Sequence, residues 1–113
     1  MIRITVFCTT QFEGFHCWPN APRHVDYLRS VHRHIFHVRA EKRVTEEDRE
    51  IEFITLKKNL DSQIAILKVE LECLPLPTWS CETWARMLVE RLQLSKCEVS
   101  EDGENGAVVE VCE

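Results

Sequence analysis

Histidines are the side chains in this sequence whose type and spacing can do chemistry, and His32 and His34 stand one residue apart in Val31-His32-Arg33-His34-Ile35-Phe36-His37. In an extended strand alternate side chains share a face. His32, His34 and Phe36 then point one way, while Val31, Arg33, Ile35 and His37 point the other, so two imidazoles can reach one metal ion. A helix through residues 27–42 would send the two histidines to different faces. A third ligand has to come from elsewhere in the chain. His16 follows Phe12-Glu13-Gly14-Phe15 at the end of another β-rich run, and an antiparallel neighbour would bring it beside the pair. Three histidines with one position left open describe a zinc site that binds or activates a ligand, not a closed structural one. The competing reading is a solvated strand face on which His32, Arg33, His34 and His37 hold no ion, and an HxH pair alone does not decide between the two.

The elements that must position these residues follow from pattern. The apolar, β-branched run from Ile2 to about His16 predicts a long first strand, and residues 31–42 predict a second. Between them, Pro19 and Pro22 mark residues 18–30 as a loop. A charged turn over 44–49 precedes Ile51 and Phe53, which lead into a helix near residues 56–67. Pro75 and Pro77 break that helix. Ser80 then caps a second one, with Glu82 and Thr83 in its first turn and Trp84, Met87, Leu88, Arg91 and Leu92 at helical spacing. Residues 96–100 and 107–111 are short β-rich runs around Asp102-Gly103-Glu104-Asn105-Gly106, a hairpin-turn composition. The order strand, strand, helix, helix, strand, strand predicts an α+β fold: an antiparallel four-stranded sheet (ββααββ) with two helices on one face. Such a sheet has free edges, and joining sheets between subunits into a barrel would remove them, so a homo-oligomer is expected.

Composition narrows the partners. A chain of 113 residues has room for one hydrophobic core, so residues 1–113 are expected to form a single domain. Hydrophobic content of 44% and three tryptophans argue against disorder. A net charge of −5 without a basic tail points away from nucleic acid. No apolar run approaches the roughly 20 residues that span a bilayer, and residues 1–8 lack the features of a signal peptide, so no membrane partner and a cytoplasmic location are expected. The six cysteines include no CxxC pair and read as reduced, mostly buried thiols; Cys97 and Cys112 flank the hairpin and are the one pair weighed as a bridge. Arg23, Arg29, Arg33 and Arg39 fall in the one basic stretch and read as solvated surface before they read as phosphate contacts.

Several segments, in order, resemble the 6-pyruvoyl- and 6-carboxy-tetrahydropterin synthases of the tunnelling fold (T-fold) family. Phe12-Glu13-Gly14-Phe15-His16 resembles the F-x-A-A-H end of that family's first strand, and His32-Arg33-His34 resembles its H-G-H. Glu50-Ile51-Glu52-Phe53-Ile54-Thr55-Leu56-Lys57 is similar to V-x-D-F-x-x-L-K, with Glu52 in place of aspartate. The run from Pro77 to Ala85 resembles P-T-x-E-N-x-A with two residues inserted, and Val99-Ser100-Glu101 stands where the family has V-x-E.

The resemblance implies a T-fold sheet in an oligomeric barrel, a hexamer in this family, with zinc (Zn2+) on His16, His32 and His34. It implies that Glu101 anchors a pyrimidine-like ring, for which a carboxylate can accept two hydrogen bonds, and that Glu82 touches the same ligand. Glu82 also suits a helix N-terminus for electrostatic reasons alone. The implied activity is a zinc-dependent lyase acting on a pterin- or purine-like small molecule. The alternative is a catalytically silent module that binds a nucleotide- or pterin-like ligand between subunits. Two departures bear on that choice. The family's proton-transfer cysteine falls at Leu28, and its Asp-His pair has no counterpart in residues 59–76, which hold no histidine and one aspartate, Asp61, read as helix surface. The nearest substitutes are Asp26, Tyr27 and Cys17, the last expected on the face opposite His16.

Overall fold

Alternating β-branched and aromatic residues form β1 (Ile4–His16) and β2 (His32–Val44), which pair antiparallel from Ile4 opposite Val44 to His16 opposite His32. The structure is a computed structural model and describes residues 1–112. On the far side of β2 lies β3 (Lys96–Glu101), with Phe36 opposite Glu101, and β4 (Asn105–Glu110) completes the order β1-β2-β3-β4. Helices α1 (Phe53–Glu72) and α2 (Cys81–Leu92) fall between β2 and β3 in the chain. The α+β layout predicted from the sequence is therefore present, and among the described residues no helix is long and apolar enough to cross a membrane.

Both helices pack on one face of the sheet. Leu56, Leu60, Ile64, Leu67 and Leu71 recur at three- and four-residue spacing along α1, and they share one buried core with Phe36, Val38, Ala40, Cys97 and Val99 from the strands. From α2, Trp84, Ala85 and Leu88 enter the same core. Ser80 caps α2 as expected, its hydroxyl accepting the Thr83 N–H.

Helix α1 is longer than the predicted 56–67 at both ends. Its start is set by Glu52, whose carboxylate accepts the N–H groups of Ile54 and Thr55, bonds that hold it below the usual carboxylate range. It runs on to Glu72 because nothing between Leu67 and Pro75 opposes helix, and Leu71 adds another contact to the core. Residues 18–30 are also more ordered than a plain loop. After Pro22 they form a 3₁₀ stretch (Arg23–Arg29), irregular at Val25, which is tied back by Trp18 N–H to the Leu28 carbonyl at 2.7 Å and Arg29 Nε to the Ala21 carbonyl at 2.8 Å.

The weighed Cys97–Cys112 bridge is not formed. All six cysteines are free: Cys97 is buried opposite Val109 on β4 and Cys112 is exposed beyond that strand's end. Burial pushes the Cys97 thiol up to about 12, so it packs as a small neutral side chain.

Gly14 is required by close packing. A Cβ there would lie 2.7 Å from the ring of Phe36, which is fully buried and has nowhere to go. Gly14→Ala should therefore cost about 1–3 kcal/mol, the range for overpacked cores, in chemical denaturation.

Candidate metal centre

The β1–β2 register sets His16 directly opposite His32, and strand alternation puts His34 on the same face, opposite the side-chain-free Gly14. The three rings form a triangle with centroids 4.5 Å (His16–His32), 5.1 Å (His16–His34) and 5.0 Å (His32–His34) apart. The pair inferred from spacing and the third histidine are thus together at the end of the helix-covered face.

Each ring is held by an acceptor at Nδ1. That of His16 is 3.0 Å from the Trp79 carbonyl, that of His32 is 2.8 Å from the Ser30 carbonyl, and that of His34 is 2.7 Å from Asp102 Oδ2. An acceptor there requires an N–H at Nδ1, which in a neutral imidazole leaves the lone pair on Nε2. Trp79 lies just before the α2 cap, and Cys17 N–H donates to the Pro77 carbonyl at 3.0 Å, so the approach to α2 runs along the end of β1.

A fourth donor joins them. Glu101 Oε2 lies 3.2 Å from His16 Nε2 and 2.6 Å from His34 Nε2, and one donor atom each of His16, His32, His34 and Glu101 lies within 4.8 Å of every other. His34 Nε2 is buried, and despite that approach it has no partner in hydrogen-bond geometry. A buried lone pair facing a carboxylate oxygen is repulsive unless a proton or a metal cation lies between them. Donors around a tetrahedral ion with bonds of about 2.1 Å are separated by about 3.4 Å; the Glu101–His16 distance of 3.2 Å is close to this, and the Glu101–His34 distance of 2.6 Å would have to open to admit the ion. The four side chains therefore fit a metal ion, with imidazole and carboxylate donors of the kind found in zinc, iron, copper and nickel sites.

Beside this group is a cleft of about 600 Å³ lined by His16, His32, Glu82, Glu101, Leu28 and Cys17, among others. Glu82 stands exposed in the first turn of α2 on the cleft wall. Glu101, assigned to a ligand ring by resemblance, has its carboxylate among the histidines while also facing the cleft. Leu28 lines the cleft at the position where the resemblance implies a thiol. Cys17 lies beyond the end of β1, where the strand alternation no longer applies; it is buried, borders the same cleft as His16, and its N–H donates to the Pro77 carbonyl. Cys81 also lines the cleft, but burial first, then the charges of Glu101 and Glu82, push its thiol up to about 12. It is protonated at neutral pH. Asp61 is exposed on α1, as expected.

Arg23, Arg29 and Arg33 are exposed, in keeping with a solvated surface. Arg29 holds Ala21, Arg33 pairs with Glu13 at 2.6 Å, and Arg39 lies over the Phe7 ring at 3.7 Å. Asp102 was not found from the sequence. It opens the β3–β4 turn with φ 57°, a left-handed conformation that aspartate tolerates, and its carboxylate accepts Ile35 N–H as well as His34 Nδ1–H. These two bonds, Ile35 first, hold it below its usual range. The signal in the sequence was an aspartate directly after Glu101, legible once the Phe36–Glu101 pairing is known. No family model and no curated protein matches the sequence.

Asp102→Asn should weaken metal binding by about 10–100-fold, the usual effect of losing an outer-sphere partner of a ligating histidine. Competition with a chromogenic chelator measures it, and unchanged affinity would show that Asp102 does not orient His34.

Proposed function

We propose that this chain is a zinc-binding T-fold protein of the tetrahydropterin synthase type, which takes a pterin- or purine-like molecule into the cleft beside the three histidines. The observation that carries the reading is the convergence of three imidazoles, each anchored at Nδ1, beside a cleft of about 600 Å³ that His16 and His32 line. The order of the resembling motifs, and the agreement of the strand and helix order with them, supports the family. The outer edges of β1 and β4 in the sheet support assembly with further copies into a barrel.

In this reading His16, His32 and His34 hold the ion, and zinc when bound would polarise a carbonyl or hydroxyl oxygen of the ligand. The Glu101 carboxylate accepts hydrogen bonds from the amino-pyrimidinone edge, and Glu82 faces the same space. A second reading, binding without turnover, is favoured by one feature of the cleft wall. Leu28 stands where a proton-transfer thiol would be needed, and the nearby Cys81 thiol is held protonated by burial.

Protein made without a histidine tag should carry about one zinc per chain, and chelation should lower its melting temperature. Zinc at about 1,000 times its Kd restores about 4 kcal/mol in wild type. His32→Ala and His34→Ala should show no such response. Mass spectrometry of the small molecules released on denaturation then separates the readings. Conversion of an added dihydropterin that is lost with chelator supports the synthase, and recovery of the bound molecule unchanged supports the binding module. Wild type that neither retains zinc nor responds to it returns the histidines to a solvated strand face.

A further inference from the structure

Glu101 is asked to do two things that compete for the same carboxylate oxygen. As a ring anchor it must turn its oxygens to a molecule in the cleft, yet in the structure Oε2 sits between His16 Nε2 at 3.2 Å and His34 Nε2 at 2.6 Å. Its backbone does not permit a compromise. Glu101 is paired with Phe36 on one side and Asn105 on the other, and its carbonyl accepts Glu104 N–H at 3.0 Å. Only side-chain rotation can move the carboxylate, and it has room for that, because its side chain is 30% exposed and borders the cleft. The imidazoles have no such freedom, each being tied at Nδ1.

We propose that Glu101 is the fourth protein ligand of the centre and acts as a gate. It closes the coordination shell when the cleft is empty and leaves the ion when an incoming molecule draws it away. The inference rests on the metal half of the function proposed above. It alters the chemistry of the site in a definite way: the resting centre has no open position, and its carboxylate offsets part of the ion's charge. An outside ligand must displace Glu101 before it can bind the ion. If the carboxylate holds its place for about nine-tenths of the time, the apparent affinity of any such ligand falls about tenfold.

The test uses cobalt(II), whose visible absorption reports its ligands, added to metal-free wild type, Glu101→Gln and Glu101→Ala. Circular dichroism confirms that each is folded. Imidazole serves as the outside ligand because it is neutral, so that removing a carboxylate charge does not by itself attract it. Removal of Glu101 should shift the cobalt band and weaken cobalt binding by at least about tenfold. It should also tighten imidazole binding to the cobalt form by at least about tenfold. Identical bands and identical imidazole affinities in wild type and both variants would overturn the gate while leaving the three-histidine centre standing. Failure of wild type to take up cobalt or zinc would overturn the reading on which the gate rests.

Discussion

Thirteen residues of β1 lie against thirteen of β2, and the register of that pairing is the constraint on which the site depends. A slip of one residue would turn every side chain of one strand to the opposite face, carrying His16 away from His32 and His34. The register is held by packing next to the histidines. Phe12 stacks on Phe36 with centroids 5.3 Å apart and touches Trp84 of α2 at 4.8 Å, while Gly14 leaves the space that the Phe36 ring fills. Phe36 also meets His16 edge-on at 5.4 Å, so the buried aromatic group and the imidazoles form one contiguous layer. The hydrophobic core thereby fixes the position of a polar cluster at its rim.

Orientation of the rings comes from a different source. The acceptors of the three Nδ1–H groups are Trp79, Ser30 and Asp102, which lie before α2, at the end of the 3₁₀ stretch and in the β3–β4 turn. None is on the strands that carry the histidines. Each connecting segment therefore sets one imidazole, and metal affinity is coupled to the ordering of all three. Asp102 contributes doubly, since its backbone N–H also donates to the Ile35 carbonyl at 2.7 Å and clamps the turn to β2.

The cleft is well supplied with groups that can hold a ligand and poorly supplied with groups that can move a proton. Leu28 is apolar, Cys81 is kept as a thiol by burial, and α1 contributes Asp61 only to its exposed surface. Glu101 and Nε2 of His16 and His34 face one another, and Glu82 lines the cleft beside them. This balance makes binding and metal coordination the better-supported parts of the proposed function, and it places the control of access on a single carboxylate.

Local pattern determined much of this protein. Strand alternation through His32, His34 and Phe36, the Ser80 cap, the leucine spacing of α1 and the turn composition at residues 102–106 each act over a few residues, and the element order follows from them. The full length of α1 was harder to read, because the absence of a breaker before Pro75 is a weaker signal than a leucine that finds a core. Other features depend on neighbours remote in sequence. Cys17 is held at the cleft's border by the bond of its N–H to Pro77, Asp102 serves His34 because Phe36 pairs with Glu101, and Glu101 meets the imidazoles because β3 lies beside β2. Side-chain identity and alternation decide what a residue can donate and which face it takes. Only the packing of sheet, turns and helix ends decides which donors share a point in space, and a metal centre is defined by that convergence.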